Sequence, residues 1–394
     1  MKYVMVVLGG AADRPVRALY DKTPLQAARL PVLDDLGREG LVGSVRLLAD
    51  EAPFCPEAAA MALLGYNPAR YFTGAGPLDA MGRYVPLGHS DVAYRLDLVS
   101  CDGETLSDPA AGGISGAQAE ALFQEVASRL RSRWLQFYPG RGRRHVLVWV
   151  DGPLETLCLP PAEAKGKPLA ETMPQGEGET TLRTLMFDSM EILDGHEINQ
   201  RRRDAGEPPA NMVWPWAPGR APVLPSFVVQ RGLGGAVISA AAYWRGLARL
   251  AGLEAPEVPG ATGRIETNYA GKVETALRLL DQRDFVLVHL GAPGAASAQG
   301  DADMKVDALQ RADARLLAPL LKGVRKLDDY RLMVLPDITF SVEERALRRD
   351  PVPFLLSASL GLKQTRRVPF DETAVTEAPL QVDEGERILD VLLE

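Results

Sequence analysis

The stretch NYAGKVETALRLLDQRDFVLVHLGAPG, residues 268–294, decides the fold class. Asn268 stands where a helix N-cap belongs, because its carboxamide can accept from an unsatisfied first-turn N–H, and a helical pattern runs from it to Leu280. After a short polar turn, Phe285–Leu290 is an apolar run too short for a helix and bounded by Gly291, which reads as a strand buried on both faces. A helix feeding a buried strand is the repeating unit of an α/β sheet. Outward from this unit, the same kind of run recurs at Tyr3–Leu8, Val146–Val150, Gly235–Ser239, Leu332–Leu335 and Pro353–Leu356, with helix patterns over Ile238–Leu250 and Ala302–Leu321. The expectation is a mostly parallel sheet flanked by helices on both faces.

Residues 92–168 read differently. A strand at Val92–Val99, a helix at Ser115–Leu130 and strands near Trp134–Phe137 and Val146–Val150 suggest a small inserted α+β domain, leaving residues 1–91 and 169–394 as the core domain. The segment Pro160–Gly178, rich in Pro, Gly, Lys and Glu, reads as an exposed linker. Pro208–Pro225, with Trp214 and Trp216, reads as a structured loop.

With 394 residues, 46% hydrophobic and 24% charged, the chain has ample material for a buried core and is not disordered. Its net charge of −8 argues against nucleic acid or an anionic membrane as partner. No apolar run is long enough to span a bilayer and the amino-terminal segment lacks the build of a signal peptide. Three scattered cysteines, Cys55, Cys101 and Cys158, form no disulfide framework. A cytoplasmic location follows as the expectation.

The chemistry-bearing motifs are sparse. His89, His145, His196 and His289 are all far apart, so no paired-ligand zinc motif exists. There is no nucleophile elbow, no phosphate-binding P-loop and no complete dinucleotide fingerprint. Arginine clusters remain at Arg141, Arg143 and Arg144, at Arg201–Arg203, and at Arg348 and Arg349. Planar guanidinium groups suit phosphate or carboxylate; a solvated helix face accounts for Arg201–Arg203 equally well.

The order of landmarks is more telling. Ala12-Asp13-Arg14-Pro15, Lys22-Thr23-Pro24-Leu25, Leu63-Leu64-Gly65-Tyr66-Asn67-Pro68, Tyr71-Phe72-Thr73-Gly74 and the segment Val258–Lys272 resemble the archaeal-type cofactor-independent phosphoglycerate mutases. Phe137–Gly140, Gly166–Pro168, Pro208–Asn211, Leu224–Phe227 and Asp350–Phe354 resemble its bacterial branch. The resemblance covers nearly the whole chain. It implies an alkaline-phosphatase-like core with an inserted domain, and phosphoryl transfer between two hydroxyls of glycerate through a phosphoserine and two divalent metals; some bacterial members are proposed homoserine kinases.

The residues that such chemistry needs are replaced. The family's first metal carboxylate falls on Gly9, its serine on Pro56, an aspartate and a histidine on Gly294 and Ala298, and further histidines on Ile338 and Leu347; only Asp337 is kept. The arginine after Thr-Gly is Ala75. Arg144, His145, Asn199, Arg202, Arg203, Asn211, Asn268 and Lys272 match the family's pattern, and six of them (Arg144, His145, Asn199, Arg202, Arg203, Lys272) are the candidates for residual anion binding. This pattern predicts a degenerate relative without metal or other cofactor, acting as a binding, regulatory or scaffold protein, its partner a phosphorylated small molecule or a protein. The alternative is an active mutase or homoserine-kinase-like phosphotransferase with a site rebuilt on Cys55, Glu57 and Asp337.

Overall fold

The computed structural model describes residues 1–360, 362 and 367–394. The elements that position the site are, in chain order, strands β1 (Lys2–Leu8), β2 (Leu41–Val45), β3 (Val92–Cys101), β4 (Leu135–Arg141), β5 (Arg144–Trp149), β6 (Met212–Gly219), β7 (Gly235–Ile238), β8 (Phe285–Leu290), β9 (Tyr330–Pro336), β10 (Val352–Ala358) and β11 (Leu380–Val382). The helices among them are α1 (Pro56–Leu63), α2 (Ala75–Gly82), α3 (Gly116–Leu130), α4 (Glu179–Asp194), α5 (Glu197–Asp204), α6 (Ala242–Leu250), α7 (Tyr269–Leu280), α8 (Ala292–Gln299) and α9 (Ala302–Arg311).

Two units separate by contact density, Met1–Phe72 with Val223–Glu394, and Thr73–Pro222. The first holds a seven-stranded sheet in the order β7-β8-β1-β9-β10-β2-β11. β7, β8, β1 and β9 run parallel, β10 opposes both its neighbours, and β11 is parallel to β2. This is the mostly parallel α/β sheet that the buried apolar runs predict. Its two faces follow the two-residue period of β1. Val4, Val6 and Leu8 pack with Val286, Val288, Ala276 and Leu309 on one side. Met5 and Val7 pack with Leu287, Met61, Trp244 and Leu247 on the other. Each such side chain removed from water contributes roughly 1.5–3 kcal/mol before entropy is charged against it. The helix expected over 268–280 begins as read: the Asn268 side chain accepts from Gly271 N–H at 2.8 Å. Ala302–Leu321 is not one regular helix, since a π turn at Ala312–Leu317 interrupts it.

The second unit is larger than the 92–168 insertion read from the sequence. Its antiparallel sheet has β3 at the centre, β5 and then β4 on one side, and β6 on the other. Helices α3 and α4 cover one face through Leu122, Phe123, Leu182 and Leu185 against Leu96, Leu98 and Leu147. On the other face α2 brings Ala80 against Ala93, Val146 and Val148. Two readings are corrected. Pro160–Gly178 is no linker, because Ala164, Leu169 and Met173 are buried against Leu106 and Trp214. Pro208–Pro225 is no loop but contains β6, whose Trp214 and Trp216 pair in register with Asp97 and Arg95. The Pro-rich composition of 208–225 reads as a loop; among the described residues β6 pairs only with β3, so the edge tolerates Pro215 and Pro218.

Candidate functional site

In an open α/β sheet, functional groups gather at the carboxyl ends of the parallel strands. Here those ends carry Gly9 and Gly10 after β1, Ser239 after β7, His289–Gly291 at β8 and Asp337 after β9. β1 ends in a tight turn, with Ala11 N–H donating to Leu8 O at 3.1 Å and Gly10 at φ +65°. Gly10 N–H donates to Asp337 Oδ1 at 2.8 Å, and Gly294 N–H to Gly9 O at 2.8 Å. A Cβ on Gly10 would lie 2.7 Å from Gly294 Cα, so the two glycines allow the backbones to touch.

Asp337 is 2% exposed. Burial is the main reason its carboxyl is pushed up to about 6; the Gly10 N–H opposes this, and the nearby Glu57 charge adds to it. Glu57, itself buried, belongs to the first turn of α1, whose N-cap is Cys55 and whose first residue is Pro56. Cys55 is half-buried and packs on a small cluster with Ile338, Leu48 and Ala58. The start of α1 and the end of β9 therefore lie against each other, with Glu57 near enough to act on the Asp337 carboxyl and Cys55 packed on the cluster that holds Ile338.

His289 faces this centre from β8. Its Nδ1 and the Ser239 hydroxyl are 2.9 Å apart, and its ring leans on Trp244 with centroids 5.3 Å apart. Desolvation first, and the Lys272 charge second, push it down to about 3, so the imidazole is neutral. Lys272, fully buried, donates to His289 O at 2.9 Å, and burial brings it down to about 8. The loop after β1 rests on a buried pair, Lys305 with Asp13 at 2.7 Å; Lys305 also donates to Phe340 O and Ala12 O. Glu372 accepts from Asp13 N–H at 2.9 Å and from the Thr23 hydroxyl at 2.5 Å. Burial pushes Glu372 up to about 7. The Ala12–Pro15 and Lys22–Leu25 motifs are thus scaffolding for this turn.

Two divalent metals, which the fold family implies, do not fit these residues. Among the described residues no three His, Cys, Asp or Glu side chains approach closely enough to share an ion. A Cβ on Gly9 would lie 2.7 Å from His289 Nε2, so the histidine fills the space that a carboxylate there would need. Asp337 already accepts a backbone N–H, and Pro56 carries no donor.

The six anion-binding candidates do not form one cluster. Arg144 and His145 lie on β5, Asn199, Arg202 and Arg203 on α5, and Lys272 in the other unit. Asn199 is a buried clip, donating to Leu193 O and Ala210 O and accepting from Ala210 N–H. Arg202 donates to Pro208 O, Ala111 O and Gln118 Oε1. Arg203 pairs with Asp194. His145 stacks on Phe123 with centroids 3.8 Å apart and accepts from Gly140 N–H. Only Arg144 keeps a side chain open to solvent without a close partner, 3.9 Å from Asp97. Arg83 and Arg95, which lie near Arg144, were not singled out by sequence reasoning. The one available signal was the polar pair Arg95 and Asp97, two residues apart in an otherwise apolar strand.

Comparison with known proteins bears on the same chain. The family model described as 2,3-bisphosphoglycerate-independent phosphoglycerate mutase matches residues 37–199. A probable 2,3-bisphosphoglycerate-independent phosphoglycerate mutase of Geobacter sulfurreducens is 36% identical, covering 100% of both chains. The enzyme of that name from Methanosarcina barkeri is 36% identical over 100% of this chain and 99% of its own. The chain belongs to the 2,3-bisphosphoglycerate-independent phosphoglycerate mutase family. Among solved structures, a protein of Pyrococcus horikoshii superposes with a TM-score of 0.80 at 25% identity, covering 100% of this chain and 97% of its own. The cofactor-independent phosphoglycerate mutase of Thermoplasma acidophilum gives 0.61 at 26%, covering 100% and 99%. The full-length likeness to chains named as mutases overturns the expectation of an inactive scaffold protein.

Proposed function

We propose that this member of the mutase family is an active enzyme that moves a phosphoryl group between the hydroxyls of a phosphorylated glycerate, using a rebuilt site. The observation that carries this reading is the 34–36% identity, over the whole chain, to proteins named as phosphoglycerate mutases. The residues proposed for the transfer are Cys55, Glu57 and Asp337. Cys55 occupies the N-cap of α1, immediately before the position of the family's serine, and is the proposed nucleophile.

The Cys55 thiolate attacks phosphorus, the S–P bond forms, the P–O3 bond breaks, and the leaving oxygen takes the proton of the Asp337 carboxyl. The 2-hydroxyl then attacks phosphorus, its proton passes to Asp337, and the S–P bond breaks to restore the thiolate. Nothing is consumed. A carboxyl near 6 is suited to both proton transfers close to neutral pH. Three cysteines, all free, support a cytoplasmic setting, and no helix among the described residues is long and apolar enough to cross a membrane.

The test is conversion of 3-phosphoglycerate to 2-phosphoglycerate by the purified chain, read by a coupled enolase assay, with and without added divalent metal. Turnover by the wild type and its loss in Cys55→Ala and Asp337→Asn is the expected result. Absence of turnover under every condition refutes the reading, and turnover undiminished in Cys55→Ala refutes the assignment of the nucleophile.

A further inference from the structure

In the Thr73–Pro222 unit, one corner of the sheet concentrates guanidinium groups. The β4–β5 hairpin turns at Gly142, φ +57°, and places Arg141 opposite Arg144, with Arg143 beside them. Arg83 caps the carboxyl end of α2 and reaches the same hairpin: its Nη1 is 3.0 Å from where a Cβ on Gly140 would stand. Arg95 projects from β3 beneath. Among the described residues two carboxylates answer these five cations. Asp79 pairs with Arg95 at 2.8 Å, and Asp97 pairs with Arg143 and lies 3.9 Å from Arg144.

Among the described residues the corner is therefore left with an excess of positive charge. Arg83 Nε is buried with no hydrogen-bond partner among the described residues. Burial disfavours the charged form of Arg83; the pull of Asp79 opposes this, and the smaller repulsions of Arg95, Arg141 and Arg144 add to it. Meanwhile Arg141 is exposed, and the Arg144 side chain is 55% exposed, so both forks are presented to solvent. Like charges held together in a folded protein are relieved by a bound anion, and guanidinium forks select tetrahedral oxyanions through paired N–H donors.

We propose that Arg141 and Arg144, backed by Arg83 and Arg143, form a binding site for a phosphate dianion, free or as a phosphomonoester. The hairpin presents the two forks side by side, and the inner arginines supply field without touching the ligand. Asp97 keeps Arg143 in place and prevents the cluster from opening. The site is independent of the phosphoryl-transfer reading, since it requires neither Cys55 nor Asp337.

The test is calorimetric titration of the full-length chain with inorganic phosphate, with sulfate and with 3-phosphoglycerate, each against chloride of equal ionic strength. Saturable binding of phosphate is expected, weakened at least about tenfold in the double variant Arg141→Gln/Arg144→Gln and unchanged in Arg325→Gln, which alters an exposed arginine of the other unit. Equal affinities for phosphate and 3-phosphoglycerate show that the phosphate group alone is read, and tighter 3-phosphoglycerate binding shows that the monoester is the ligand; both support the site. In phosphate-free buffer the double variant should melt no lower than wild type, because removing two crowded cations relieves repulsion. No binding beyond the chloride control, affinity retained in the double variant, or a lower melting temperature of that variant without phosphate overturns the proposal. Arg83→Gln gives a second measure: it should weaken phosphate through the lost field while Arg141 and Arg144 remain.

Discussion

Gly9 offers the sharpest test of how the centre is packed. A methyl group there would stand 2.7 Å from His289 Nε2 and 3.3 Å from Leu290 O. The first distance is roughly 0.7 Å short of ordinary contact, so the imidazole or the end of β1 must move. Neither moves easily. The ring is held by the Ser239 hydroxyl at 2.9 Å and by Trp244, and Gly9 by its own bonds to Leu290 O and Gly294 N–H. Overpacking of this kind costs about 1–3 kcal/mol. Gly9→Ala should therefore lower the melting temperature by several degrees, at roughly 2–4 °C per kcal/mol for a domain of this size. Gly9→Asp adds the burial of a carboxylate that has no partner and should cost more. The decisive measurement is a double-mutant cycle by urea unfolding. His289→Ala opens the space, so Gly9→Ala should cost about 1–3 kcal/mol less in that background than in wild type. If Gly9→Ala is as stable as wild type, or the two substitutions are additive, then His289 does not fill the position and the argument against a carboxylate there fails. The same cycle bears on metal: Gly9→Asp alone should not confer manganese binding in a calorimetric titration.

Other outcomes follow from the buried charges. His145 and His289 are both held down to about 3 by burial, against an unfolded value of 6.5. Their neutral forms contribute stability above pH 6.5 that is lost as pH falls toward 3, each on the order of 4–5 kcal/mol at full protonation; His289→Gln should reduce the acid sensitivity seen by denaturant unfolding. Asp337 is raised to about 6, so its protonated form stabilises the fold below pH 4, and that contribution, on the order of 3 kcal/mol, disappears as pH rises through 6. Asp337→Asn, which keeps an acceptor for Gly10 N–H, should flatten the slope between pH 4 and 6 and be at least as stable as wild type at pH 8. Lys305→Met leaves Asp13 buried without its cation and should cost about 3–5 kcal/mol in urea unfolding, more than Lys2→Met at a half-buried lysine whose ion-pair partner Asp284 is exposed.

The parts of this protein that were legible in the amino-acid order are those governed by neighbours along the chain. Asn268 caps its helix because the N–H groups it satisfies lie within three residues, and Phe285–Leu290 is a strand in a sheet buried on both faces because a short unbroken apolar run has few other uses. The landmark motifs gave the family, since turns and caps such as Thr23 with Gln26 are also local. The tertiary structure decided everything that depends on distant partners. The second unit begins at Thr73 rather than near residue 92, because α2 finds its apolar surface on β3, which its own sequence does not announce. Trp214 and Trp216 join a strand through register with Asp97 and Arg95, more than a hundred residues away. Asn199 and Arg202, polar enough to pass for ligand-binding residues, are spent on backbone carbonyls that only folding brings near them. Gly9 reads as a lost ligand until His289 is seen beside it. Hydrophobic period and turn chemistry act over a few residues, whereas burial, charge balance and the meeting of Gly9 with His289 are set by chain closure over hundreds.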